Sequence, residues 1–160
     1  MKGGFLVDSS GTNEYIERVV HTYSSMLLKI AYAMLRSTSD AQDVVQEVFL
    51  KLITKHPQLK NDEHEKAWLI RVTVNLCKNV LKSSVRKEQP FDEQAVCYEN
   101  GTDLYNTVLS LPESYRCVIH LYYYEGYSIK EIAAILRLPV ATVGTRLSRA
   151  RKLLKGELEK

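Results

Sequence analysis

From Lys66 to Lys87 the chain contains no acid. At about 100° per residue, a helix over this stretch gathers Trp68, Arg71, Asn75, Lys78, Asn79, Lys82 and Arg86 on one stripe. Leu69, Ile70, Val72, Val74, Leu76, Cys77, Val80, Leu81 and Val85 fill the rest of its circumference. The stripe carries the side chains that hold unpaired nucleic acid: cations grip phosphates, amides reach base edges, and an indole stacks on a free base. The competing reading is a solvated face with Trp68 tucked under the preceding loop. Periodicity leaves the two level. A basic face with no balancing acid repels itself, which favours a polyanion as partner.

A second set lies near the end. A helix from Val140 to about Leu158 turns Val143, Leu147, Ala150 and Leu154 inward and places Thr142, Thr145, Arg146, Arg149 and Lys152 on the opposite side. Residues 146–155 hold five Lys/Arg and no acid, so this face too is cationic. Before it, Ser128-Ile129-Lys130-Glu131 matches a capping box that opens a short helix with Ile129, Ile132, Ala133 and Leu136 on one side. Arg137-Leu138-Pro139 is the turn between them. Short helix, tight turn and longer basic helix have the spacing of a helix-turn-helix, with Ala133 small at the crossing and Leu138 and Val143 plugging the angle. Such a helix fits the major groove, where Arg pairs bidentately with guanine, and the capped start at Ser128 can grip a phosphate. A plain three-helix domain with a solvated basic face is the alternative, and turn length, plug residues and charge together favour DNA.

Other chemistry finds little support. Cys77, Cys97 and Cys117 form no CxxC pair, and His21, His56, His64 and His120 show no metal-ligand spacing, so neither a metal nor another cofactor is expected. No nucleophile–base pair or phosphate loop stands out, and the chain reads as a non-enzyme. Phe5-Leu6-Val7 is too short an apolar run for a signal peptide, and no segment is suited to cross a membrane; the expected location is the cytoplasm.

The elements that must position these faces are helical. Thr12 or Asn13 can cap a first helix that runs to about Arg36, and Ser39 with Gln42 makes a capping box for a second. Ala41, Val44, Val45, Val48, Phe49 and Leu52 give the second helix one buried face. Opposite lie Asp43, Gln46, Glu47 and Leu50, either ordinary surface or a docking patch with an apolar centre; spacing alone favours the former. A third helix starts near Asp62 or Glu63 and runs to about Arg86; Leu104 to Leu111 is a short helix, and Pro112 opens another that stops near Gly126. Residues 88–111 hold five acids and no base, between a block of +3 (residues 61–87) and one of +4 (residues 112–160). The expected architecture is all-α: two small helical domains, residues 1–87 and 104–160, joined by an acidic linker, 88–103, that leaves them free to reorient.

Several runs resemble a known family. Asp40-Ala41-Gln42-Asp43-Val44-Val45-Gln46-Glu47-Val48-Phe49-Leu50-Lys51-Leu52 resembles the DAEDxxQExFLKxW signature of sigma region two, and Ala67-Trp68-Leu69-Ile70-Arg71-Val72-Thr73-Val74-Asn75-Leu76 is similar to its WLxRIAxN segment. Leu111-Pro112-Glu113, Tyr127 to Ala133 and Pro139 to Arg151 resemble region four. Together, in this order, they resemble the extracytoplasmic-function sigma factors of bacterial RNA polymerase.

The resemblance implies a promoter-directing transcription initiation factor. It would dock Asp40, Asp43, Gln46, Glu47 and Leu50 on the β′ clamp helices, reversing the preference from spacing. The loop Lys60 to Glu65, with Lys60, Asn61, Asp62 and His64, and the stripe Trp68, Arg71, Asn75, Lys78, Asn79 and Lys82 would capture the −10 element, including a flipped non-template base. Ser128, Lys130, Thr142, Thr145, Arg146, Ser148, Arg149 and Lys152 would bind the −35 duplex while their domain sits on the β flap. The acidic linker would follow the RNA exit path, and an anti-sigma factor is an expected partner. Arg137 stands where the family usually has Gly, and Gly144 where it often has Lys or Arg. An Arg forced to positive φ costs on the order of 1 kcal/mol.

Overall fold

A computed structural model of the chain describes residues 9–83 and 103–160. Seven α-helices account for most of them: α1 Ser9–Leu35, α2 Thr38–Lys55, α3 Asp62–Lys82, α4 Asp103–Leu109, α5 Glu113–Ile119, α6 Ile129–Leu136 and α7 Val140–Leu158. No strand occurs among the described residues. The acidic linker lies outside them, except that Asp103 already belongs to α4.

The helices start and stop for local reasons. Thr12 and Asn13, expected as caps, lie inside α1, which begins earlier. The cap of α2 is Ser37, not Ser39; its hydroxyl accepts from the amide of Asp40, and it is buried at the end of α1. Asn61 caps α3, whose first turn carries Asp62, Glu63 and Glu65 at the positive end of the helix dipole. Arg36, His56 and Arg137 follow α1, α2 and α6 with φ of 54, 44 and 54°, so three helices end on left-handed residues that are not glycine.

α5 does not run on as a plain helix to Gly126. Residues His120–Tyr124 form one wider π turn, in which the amide of Glu125 donates to the carbonyl of His120 at 3.2 Å. Tyr124 stacks on the buried His120 ring at 5.2 Å.

α1, α2 and α3 pack on one another, and α4, α5 and α6 gather around α7. The two groups are not independent: α1 also packs on α5 and the π turn, and α3 on α6. Leu27, Ile30, Leu35, Leu69, Ile119, Leu121, Ile132 and Leu147 thus share one continuous apolar core. The freedom expected of two linked domains gives way, in this structure, to direct packing.

Candidate nucleic-acid interface

The face of α2 opposite its buried residues is open. Asp43, Gln46 and Glu47 are exposed, Leu50 shows 54% of its surface, and Asp40 is half-buried in the first turn. Asp40, Asp43 and Glu47 line an open groove of about 370 Å³ with Val44, Leu76, Asn79 and Val80. An acidic rim over an apolar floor suits a basic amphipathic helix. Gln46 and Leu50, on the same helix, lie outside that groove.

The loop before α3 is shaped by its own side chains. Asn61 Oδ1 accepts from the amide of His64 at 2.8 Å, and the amide of Lys60 donates to His64 Nδ1 at 3.2 Å. Lys60 and Asp62 are exposed. Glu65, grouped with this loop by resemblance, is buried in α3: it accepts from Tyr15 Oη at 2.7 Å and pairs with Arg18 at 3.4 Å. Burial, and then the bond to Glu65, push the Tyr15 phenol far above its ordinary range. Glu65 therefore anchors α3 to α1 and does not face outward.

Along α3 the stripe divides. Asn75, Asn79 and Lys82 are exposed, and Trp68 is half-buried against the core. Arg71 turns toward α6 and donates through Nε to the carbonyl of Ile135 at 2.8 Å. Lys78 and Lys82 border a cleft of about 260 Å³ whose other wall includes Glu113, Cys117 and Arg146. Burial pushes the Cys117 thiol up to about 11, which leaves it protonated and unreactive near neutral pH. Arg86 lies outside the described residues.

The helix-turn-helix forms as expected, with α6, the left-handed Arg137 and α7. Ser128 and Glu131 make the reciprocal capping box, with Ser128 Oγ accepting from the amide of Glu131 at 3.1 Å and the amide of Ser128 donating to Glu131 Oε2 at 2.7 Å. This is the box expected from the sequence, and Ser128 itself stays exposed. Lys130 is exposed beside it. Thr142, Thr145, Arg146 and Arg149 line an open groove of about 430 Å³ with Ser114, Tyr115 and Ala141. Ser148 and Lys152 are exposed on α7 outside that groove. A Cβ added at Gly144 meets nothing within 4 Å, so internal packing does not require glycine there. Arg151, one of the basic run, is drawn back: Nε donates to Tyr123 Oη at 2.7 Å, and its guanidinium lies 5.3 Å from the Tyr122 ring and 5.6 Å from the Tyr123 ring.

Sequence reasoning passed over Arg36 and Arg116, which reach across the packed junction. The available signal was that Arg116 falls three and four residues before Ile119 and His120, on the inward face of α5. Among the described residues no group of three or more His, Cys, Asp or Glu is arranged to hold a metal ion, and no helix is long and apolar enough to cross a membrane.

Comparison with known proteins gives these surfaces their context. Residues 19–87 match the model of Sigma-70 region 2, and residues 102–154 that of Sigma-70, region 4. The ECF RNA polymerase sigma-E factor of Escherichia coli K12 is 29% identical over 174 residues, covering 95% of this chain and 88% of that protein. The ECF RNA polymerase sigma factor SigW of Bacillus subtilis is 26% identical over 174 residues, covering 92% and 91%. A solved structure of the sigma factor RpoE of Bartonella quintana, in complex with the anti-sigma factor NepR, shares the fold with a TM-score of 0.67 over 91% of this chain and 97% of that one, at 22% identity. The all-α chain with these two regions in this order belongs to the sigma-70 family. Within it, the chain is an extracytoplasmic-function sigma factor, and its function is promoter-specific initiation of transcription by RNA polymerase.

Proposed function

We propose that three surfaces divide the work of initiation. The acidic α2 face, with Asp40, Asp43, Gln46, Glu47 and Leu50, docks on the β′ clamp helices of core polymerase, and region 4 sits on the β flap. Arg146 and Arg149, with Thr142, Thr145, Ser148, Lys152, Lys130 and Ser128, then set the register on the −35 duplex. Lys60, Asp62, Trp68, Arg71, Asn75, Lys78, Asn79 and Lys82 trap strand-separated −10 bases and draw the equilibrium toward open DNA, while Asn61 and His64 hold the loop in shape. The chain itself makes and breaks no bond.

The observation that carries this reading is the pairing of two cationic helical surfaces of different character. One mixes an indole, amides and cations along α3, as single strands require; the other puts Thr and Arg on the first half of α7, as a major groove requires. Core polymerase binds first, and the factor acts in the cytoplasm, where the polymerase is. By analogy with RpoE held by NepR, an anti-sigma protein restrains this chain until its release.

Runoff transcription with reconstituted core polymerase tests the whole. Promoter-dependent transcripts are expected only when the chain is added. Equal initiation from every template with or without it would refute the proposal.

A further inference from the structure

A hydrogen bond that ends on an imidazole nitrogen fixes where the proton of the ring sits. The amide of Lys60 donates to His64 Nδ1 at 3.2 Å, and a main-chain amide cannot accept in return. Nδ1 therefore presents its lone pair, and in this arrangement the ring carries its proton on Nε2. Among the described residues nothing accepts from Nε2, which stays open to solvent on a half-buried ring. The loop thus presents a donor held at two points: the main chain of His64 by the Asn61 cap at 2.8 Å, and its ring by Lys60. A donor aimed before its partner arrives loses little freedom on binding.

The surroundings say what that partner is. Trp68 follows His64 by four residues, one turn along α3. Helical side chains lean toward the helix start, which brings the indole over the turn that bears His64. A flat ring laid on this indole turns its edge toward Nε2. Phosphate is disfavoured at the same place, because Asp62 and Glu63 are exposed in the first turn of α3. An aromatic face beside a neutral N–H suits an uncharged base. Bases differ at the exocyclic group: thymine and guanine carry a keto oxygen that accepts, whereas cytosine and adenine carry an amino group that donates. A lone donor pairs with the first two and opposes the others.

We propose that His64 reads one unpaired −10 base through Nε2–H while Trp68 stacks on it, and that the base so read is a keto base, thymine or guanine. The inference rests on the −10 reading of the α3 stripe given above and adds to it the chemistry by which one base is chosen.

The test uses holoenzyme reconstituted from core polymerase and the full chain, on a promoter that this holoenzyme selects from a randomised pool. Open-complex lifetimes are measured with each of the four bases at each non-template −10 position. At one position thymine and guanine are expected to outlast cytosine and adenine by about tenfold, near the upper size for one neutral hydrogen bond. Replacing the keto base there by its analogue without the oxygen, 5-methyl-2-pyrimidinone for thymine or 2-aminopurine for guanine, is expected to shorten the lifetime by the same factor. His64→Asn keeps an acceptor where Nδ1 stands and removes the distal donor, so it is expected to hold keto base and analogue alike. His64→Gln places an amide N–H near the position of Nε2. It is expected to keep the difference, with shorter lifetimes on every template because the amide of Lys60 loses its partner.

A promoter with no position that favours keto bases overturns the proposal, and so does an analogue that costs the unaltered chain nothing. A His64→Asn holoenzyme that still separates keto base from analogue overturns it too. These lifetimes form a double-mutant cycle, in which any general weakening of the variant cancels. Should circular dichroism show that His64→Asn has lost helix, His64→Gln decides, and loss of the difference there overturns the proposal. Initiation that ignores the promoter brings down the −10 reading as well. Promoter-dependent opening that is intact, with an analogue that costs nothing, removes the role of His64 alone.

Discussion

In region 2, α3 runs 21 residues beside neighbours of 27 and 18, and a single uninterrupted helix both fills the core and carries the candidate −10 stripe. In region 4, α7 runs 19 residues beside helices of seven, seven and eight. Helices that short are marginal alone, so region 4 relies on the packing of Ile132, Val143 and Leu147 and on the chemistry of its turns. The difference teaches where each region is vulnerable. Region 2 places its side chains by the rigidity of a long rod, and a change there alters the chemistry of one position. Region 4 places them by a capping box, a left-handed arginine and a π turn, and a change at a turn re-aims the helix that follows.

The largest effect is expected from Trp68→Ala. If the indole stacks on an unpaired base, its removal costs about 3 kcal/mol of the open complex. Permanganate reactivity of −10 thymines should fall steeply while closed-complex binding changes little. Equal reactivity would erase the chemical distinction between the two regions.

Next is Arg149→Ala, expected to cost about 2 kcal/mol of promoter discrimination through a lost guanine contact. Transcription across a panel of −35 variants measures it, and an unchanged ranking of those templates removes Arg149 from base reading. Smaller and of opposite sign, Arg137→Gly should stabilise the protein by about 1 kcal/mol by relieving the positive φ. Gly144→Ala should add slightly under about 1 kcal/mol through helix propensity, since its Cβ has room. Thermal denaturation checks both, and a lower Tm in either would show that region 4 is held by something other than its turns.

The smallest effect concerns Tyr127, whose phenol is pushed up to about 12 from 10.0, first by burial and then by Glu125 and Glu131. The folded state favours the neutral phenol, so its contribution is complete below pH 10 and is lost as pH rises through about 12. Tyr127→Phe should blunt that alkaline loss in a pH titration of stability and leave neutral behaviour unchanged.

The legible parts of the molecule were those governed by periodicity and caps. The bounds of α7, its buried Val143, Leu147 and Ala150, and the Ser128 box all follow from local pattern. The cap of α2 did not: Ser37 and Ser39 both offer a hydroxyl, and the burial of Ser37 against the end of α1 decides between them. The π turn was hidden because His120 to Tyr124 contains neither glycine nor proline, and contacts with α1 form only in the folded chain. The arginines at the junction were hidden for another reason. Their partners are main-chain carbonyls, which every residue possesses, so the side-chain order marks the inward placement of Arg116 but not what it or Arg36 binds. The exposure of Leu50 fits a docking face, but its assignment came from resemblance, because a lone surface leucine carries no address of its own.

The π turn at His120–Tyr124 also absorbs a residue. It holds one residue more than an ordinary helical turn would, over nearly the same rotation and rise. Deleting one residue there would let α5 wind on smoothly and leave the loop bearing Tyr127, and with it α6 and α7, on nearly the same side. The same deletion in the plain first half of α7 would swing everything after it by about 100° around the axis.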